Sequence, residues 1–235
     1  MSVSTSPAPV VTPPLTPRVP ARVWPLAGAL AGVTGFVATV ITDVRRAQVQ
    51  VPAVDGYTQT VDFMDEMEPG ILRVGYVFGL VTIVLLSVFT AWWSRRVEDV
   101  APRAVAGRIA TIGFLITIGG LALTYSWKGA LANYLGPERG TYQEDGLFVY
   151  YMIADFGPYI PWLGVALAAA AMAWLSFENR IMSRGLGGVS AFFAVLVAGA
   201  VLVSGVPGLP ALPMPIWLVV AGIWLAAGRS RLVTA

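Results

Sequence analysis

"VGYVFGLVTIVLLSVFTAWWS", residues 74–94, decides the fold. Its 21 residues carry no charge. A helix rises about 1.5 Å per residue, so about 20 apolar residues cross the hydrocarbon core of a bilayer. Similar uncharged runs recur at Val23–Thr42, Ile109–Trp127 and Phe156–Phe177. From Gly185 to Gly228 no charge occurs at all, which is room for two more crossings. "GVPGLPALPMP", residues 205–215, breaks that run with prolines and glycines and reads as a tight turn. The pattern predicts an all-α, polytopic membrane protein with six transmembrane helices, at about 23–42, 72–94, 108–128, 156–177, 185–204 and 212–228.

Composition agrees. Of 235 residues, 57% are hydrophobic and 12% charged, where soluble domains carry about 25% charged residues. All but one of the 15 basic residues are arginine, and Gly and Ala abound. That bias resembles coding by a GC-rich bacterial genome. The chain has no Cys and no His. Disulfides, thiolate chemistry, imidazole-ligated metals and every His-assisted nucleophile are therefore excluded. No metal or cofactor is expected, and the expectation is a protein that is not an enzyme.

Residues 1–22 contain six prolines among small residues and read as a disordered tail. "TPPLTPRVP" within it has polyproline-ligand spacing, but a plain flexible tail is the favoured reading. The first span is a poor cleavable signal: its run of 20 residues exceeds the roughly 7–15 of a signal core. Residues 229–235 read as a second cytoplasmic tail.

Orientation follows from Arg and Lys in the short loops. With the N-terminus inside, ten basic residues fall on inner segments and five, Arg45, Arg46, Arg73, Lys128 and Arg139, on outer ones. Both termini are expected in the cytoplasm of a bacterial plasma membrane. Ten of the 13 carboxylates then lie outside, so the outer face is anionic.

Two outer loops are substantial. The first contains "TVDFMDEMEPG", in which Val61, Met64 and Met67 recur every three residues along one helical stripe. Asp62, Asp65, Glu66 and Glu68 fill the other face, and Pro69-Gly70 ends the segment. A short amphipathic helix is expected there, lidding the bundle with its apolar stripe down. Its acidic face has oxygen ligands suited to a divalent cation, but the spacing fits no calcium loop and a solvated face is the favoured reading.

The second outer loop is aromatic. Tyr125, Trp127, Tyr134, Tyr150, Tyr151, Tyr159 and Trp162 stand where an interfacial belt would lie, the favoured reading. Five of them, Tyr125, Trp127, Tyr151, Tyr159 and Trp162, could instead line the mouth of a site for an amphipathic ligand. Three charges form a candidate outer-rim cluster: Asp43, Arg73 and Asp155. Asp43 sits at the negative end of the first helix dipole and Arg73 at the positive end of the second, each disfavoured by about 0.3–1 kcal/mol. A pair between them would relieve both, with Asp155 as a second partner for Arg73. The alternative bonds Asp43 to Arg46 and leaves Arg73 at lipid phosphate.

No span carries a charge near its centre, which argues against an ion-driven pump. The break at Gly157-Pro158 and Pro161 resembles the interrupted helices of transporters, although it lies at a span edge. Gly28, Gly32 and Gly35 on the first span, and Gly113, Gly119 and Gly120 on the third, allow close helix packing, within the bundle or against a second copy. Ser190, in "GGVSAF", lacks the surroundings of a nucleophile elbow.

"MDEMEPGILRVGYVFGLVTIVLLSVFTAWW", "LANYLG", "IADFGPYIPWLGVAL" and "RGLGGVSAFFAVLVAGAVLV" together resemble segments of the uncharacterised DUF4386-type bacterial integral membrane proteins. The resemblance implies six spans and brings no activity and no catalytic residues. A non-enzymatic accessory or interaction protein, or an apolar-ligand binder, is the leading expectation. A small permease for an amphipathic molecule comes second, and an enzyme using carboxylates such as Asp155 with Glu144 or Asp145 third. The partners expected are the lipid bilayer and another membrane protein or an amphipathic ligand, with no nucleic acid.

Overall fold

The uncharged runs fold as antiparallel helices. The computed structural model describes residues 23–47, 61, 64, 67–228 and 230–234. The expected tail 1–22, the acidic positions Asp62, Asp65 and Glu66, and the rest of the first outer loop lie outside the described residues. Among those described every element is helical, so the chain is an all-α polytopic membrane protein.

Helix α1 (Trp24–Phe36) opens with Pro25 in its first turn, where no N–H is missed. It runs on into a π-helical turn, Val37–Ile41. Helix α2 (Pro69–Val100) also starts on a proline. Pro69, expected to close the lid, opens the second span instead, because its fixed φ suits a first helical position. Helix α3 (Val105–Tyr134) extends past the expected end near 128, since Ala130, Leu131 and Ala132 favour helix. Lys128 is therefore inside a helix and not in a loop.

Helices α4 (Glu144–Phe156) and α5 (Leu163–Trp174) form one bent rod, interrupted by Gly157-Pro158 and a 3-10 turn at Ile160–Trp162. A π-helical turn, Leu175–Asn179, ends it. Helix α6 (Arg184–Ser204) is capped by Ser183, whose Oγ accepts from Leu186 N at 3.3 Å, and closes on Gly205 at φ 70°. Helix α7 (Pro213–Ala227) follows the proline-rich turn. A last short helix, α8 (Arg231–Thr234), stands where a tail was expected. Leu232 and Val233 are buried there, which gives the segment a reason to fold back.

Five rods are long and apolar enough to cross a membrane, and α7, at 15 residues, is apolar but shorter. The starts of α1, α3 and α6 share one end of the bundle, here the near end. Arg231 N donates to Ile181 O at 3.2 Å and Trp224 Nε1 to Ser183 Oγ at 3.0 Å on that side. The far end holds Val44–Ala47, the start of α4 and the turn before α7.

Small residues let these helices touch. A Cβ at Gly28 would meet the Phe89 ring at 2.7 Å, and one at Gly32 would strike the Pro215 carbonyl and lie 2.8 Å from Val219. Gly35 backs onto Trp162, Gly113 and Gly164 bring α3 and α5 together backbone to backbone, and Gly120 faces Pro161 at 2.8 Å. The small face thus packs within the bundle; Gly119 alone of that set has open space beside it. Trp24, Phe89, Trp93 and Phe114 fill the near half, with Phe89 edge-on to Phe114 at 5.3 Å. Val44, Met64, Met67, Leu72, Leu131, Leu135, Leu147 and Tyr151 form a second apolar cluster at the far end.

Candidate functional site

The far end carries two polar layers. The lower one is sealed. In the π-helical turn of α1, Thr42 N reaches back to Val37 O at 2.9 Å, and Thr42 Oγ1 donates to Ala38 O at 2.8 Å. Lys128 of α3 arrives from the side. Its Nζ donates to Ala38 O at 2.9 Å, to Thr42 O, and to Thr42 Oγ1 at 3.1 Å. An ammonium has three donors, and three acceptors meet it. The positive charge also sits on the negative end of the α1 dipole. Lys128 is 1% exposed, so this satisfaction is what makes its burial tolerable. Gly75 supplies the space: a Cβ there would lie 2.6 Å from Nζ.

One turn deeper, Thr39 Oγ1 shares a hydrogen bond with Tyr125 OH at 2.7 Å and accepts from Trp162 Nε1 at 3.3 Å. Both rings are fully buried, and Gly79 admits Tyr125 as Gly75 admits Lys128. Gly75 and Gly79 are therefore a small-residue pair on α2 with a polar purpose. Below them Thr82 Oγ1 donates to Thr34 Oγ1 at 2.8 Å, and Thr117 Oγ1 donates to Pro161 O at 2.9 Å.

The upper layer is open. The 3-10 turn Val44–Ala47 directs Arg45 over α4, where Nε and Nη2 donate to Asp155 Oδ1 and Oδ2, both at 2.8 Å. This is a two-pronged pair, the geometry an arginine fork favours. The Asp155 hydrogen bonds raise the already high pKa of Arg45, so its charge is fixed. Asp43 accepts from Arg45 N at 3.1 Å through Oδ1 and from Tyr159 OH at 2.6 Å through Oδ2. These four residues, with Phe156, Val206, Gly208, Leu209 and Leu212, line a cavity of about 200 Å³.

The expected rim cluster is thus partly redrawn. Asp43 and Asp155 border one cavity, but the cation between them is Arg45 and not Arg73. Arg73 turns to the end of α3, where its Nη2 lies 2.8 Å from the place of a Gly136 Cβ. A cation placed at a helix C-terminus suits the helix dipole.

The five expected mouth aromatics separate. Tyr125 and Trp162 are interior, Tyr151 is buried in the far apolar cluster, and Tyr159 alone of the five lines the rim cavity. Trp127 belongs to a surface cluster, with its ring 5.2 Å from Tyr150, which in turn lies 5.1 Å from Tyr134 and 5.6 Å from Tyr142. Of the lid stripe, Met64 and Met67 are buried in the far apolar cluster and Val61 is half-buried. Ser190 is also structural, accepting from Trp217 Nε1 at 3.1 Å.

Glu144 and Asp145 border a different recess with Arg139 and Tyr142. Asp155 follows Glu144 by eleven residues on α4, about 16 Å along a helix at about 1.5 Å per residue. These carboxylates do not converge on one pocket. Arg45, Thr39 and Thr42 carry the site and were not singled out from sequence; the usable signal was the four-residue spacing of Gly75 and Gly79. No family model matches this chain, and neither a curated protein nor a solved structure does.

Proposed function

We propose that this is a non-enzymatic multi-pass protein of a bacterial plasma membrane, with both termini cytoplasmic, that binds an amphipathic molecule at its extracytoplasmic rim. The rim cavity carries the reading: Asp43, Arg45, Asp155 and Tyr159 line it together with Phe156, Val206, Leu209 and Leu212. A lining that combines charge with hydrocarbon suits a molecule that has both. Lys128 and Thr39 spend their hydrogen bonds inside the bundle, which supports a fixed scaffold under the site. The likeness to DUF4386-type proteins supports the membrane layout and adds no activity.

Purification of the full chain from native membranes, followed by mass spectrometry of co-purified small molecules, tests this. A retained amphiphile that is lost on substituting Leu212→Trp supports it; a clean preparation, or retention indifferent to that change, overturns it.

A permease for the same molecule is the second reading. The interruption of α1 at Val37–Ile41 and of the α4–α5 rod at Gly157–Tyr159 favours it, because broken helices recur at transport sites. Uptake of the retained molecule into proteoliposomes separates the two.

A further inference from the structure

The rim cavity has an unbalanced charge. Two carboxylates and one guanidinium line it. Arg45 is committed to Asp155 by both prongs, which neutralises that pair locally. Among the described residues Asp43 has two donors, the Arg45 backbone N–H and the Tyr159 hydroxyl, and both are uncharged groups; the Arg46 side chain, the alternative partner, lies outside the described residues. The nearest ammonium below, Lys128, is buried, spends its donors on α1, and does not line the cavity. Arg45 and Lys128 act on Asp43 only through space, so among the described residues it is the cavity carboxylate to which no cationic side chain donates directly. Phe156 and Tyr159 stand beside it, and aromatic faces attract a cation, best when it is poorly hydrated.

The cavity is also too small for a whole amphiphile. At about 200 Å³ it falls below the roughly 300–1,000 Å³ of pockets that enclose a drug-sized ligand. A chain attached to a bound headgroup must leave it. Leu209 and Leu212 point to the way out, because they also border a second recess of about 460 Å³. Leu196, Val197, Ala200, Pro213, Ile216 and Phe36 complete that recess between α6 and α7, and all of them are apolar.

We infer that the rim site takes an amphiphile with a single hydrocarbon chain and an ammonium headgroup, the headgroup at Asp43 between Phe156 and Tyr159 and the chain in the α6–α7 groove. The inference rests on the amphipath-binding reading above and adds the headgroup charge and the path of the chain. Asp43 supplies the charge, the two rings the cation-attracting walls, and Leu209 and Leu212 the shared border between headgroup and chain. Arg45 holds Asp155 away from the ligand and keeps the cavity from becoming a bare acidic patch.

The test is saturation binding of radiolabelled dodecyltrimethylammonium, dodecyl phosphate and dodecanol to the full chain in nanodiscs of zwitterionic lipid. Expected is one saturable site for the ammonium compound, at least tenfold tighter than for the other two. Asp43→Asn, which keeps the acceptor to Tyr159, should weaken the ammonium compound at least tenfold and leave dodecanol unchanged. Ala200→Trp should weaken every long-chain probe and spare tetramethylammonium as a competitor. Equal or tighter binding of dodecyl phosphate or dodecanol at a site blocked by Leu212→Trp overturns the headgroup assignment while the rim site stands. If no probe binds saturably, or Leu212→Trp changes nothing, the amphipath reading itself fails. The wild-type ranking of the three probes decides the headgroup even if a variant does not fold.

Discussion

Lys128 Nζ donates to the carbonyl of Ala38, ninety residues earlier in the chain, at 2.9 Å. One side chain of α3 thereby caps the end of α1 through a gap that Gly75 of α2 leaves open. Three consecutive helices are locked at one point, and Thr42 of that lock directly precedes Asp43 of the rim cavity. A buried cation that closes a helix end is doubly held, by hydrogen bonds and by the dipole.

Removing that cation should therefore be costly. Lys128→Met keeps the length of the side chain but takes the ammonium from the Thr42 carbonyl, while the Ala38 carbonyl keeps the Thr42 hydroxyl as donor. A buried acceptor left unsatisfied costs about 1–3 kcal/mol, so the expected outcome is a clear fall in the melting temperature in detergent. A melting temperature equal to that of the wild type would mean that the Thr42 carbonyl finds another donor at no cost.

The glycine beneath it should be as sensitive. Gly75→Ala places a methyl group 2.6 Å from Nζ and closer still to Thr42 Oγ1. Overpacking of this kind costs about 1–3 kcal/mol. Gly119→Ala is the control, because nothing lies within 4 Å of its added Cβ. Thermal unfolding should separate the two substitutions; equal behaviour would show that α2 can shift away from α3.

Much of this architecture was legible in the sequence, for a physical reason. A bilayer allows few spanning structures, so uncharged runs of about 20 residues leave one reading. Lys128 was misplaced because a charge after a long apolar run looks like a helix end, while the helix-favouring residues after it carry α3 to Tyr134. Adjacent spans bring Asp43 and Arg73 to similar depth, which is what makes that pair the expectation from sequence. Arg45 pairs with Asp155 across 110 residues, a contact that no local pattern encodes. The burial of Met64 and Met67 fits the apolar stripe of the three-residue repeat, while the helix expected to carry that stripe lies outside the described residues.

That stripe gives the next expectation. Met64 is 0% exposed against Leu72, Leu131 and their neighbours. Met64→Asp places a carboxylate in that cluster, a desolvation cost of about 1–3 kcal/mol or more. Val61→Asp, at a half-buried position, should cost much less. Equal melting temperatures for the two variants would mean that the segment does not dock through Met64.

Orientation can be tested on a clean background, because the chain has no cysteine of its own. Glu144→Cys at the start of α4 should react with a membrane-impermeant thiol reagent in intact cells. Glu98→Cys, near the opposite end of α2, should react only after the cells are opened. The reverse pattern would put the rim cavity in the cytoplasm and would move its ligand to that side.

The rim charges allow the sharpest test. Arg45 and Asp155 form a two-pronged pair, but their side chains are 52% and 15% exposed, so solvent screens the interaction. Exposed pairs are worth about 0.2–1 kcal/mol, with good fork geometry towards the upper part. In a double-mutant cycle, Arg45→Gln and Asp155→Asn should therefore couple by about 0.5–1 kcal/mol. The cycle on Asp43→Asn and Arg73→Gln should be additive, because Asp43 is bound to Tyr159 and the Arg45 backbone while Arg73 lies at the end of α3. High salt should shrink the first coupling and leave the second near zero. If Asp43 and Arg73 couple while Arg45 and Asp155 do not, the cation at the rim is Arg73, and the headgroup site must be redrawn around it.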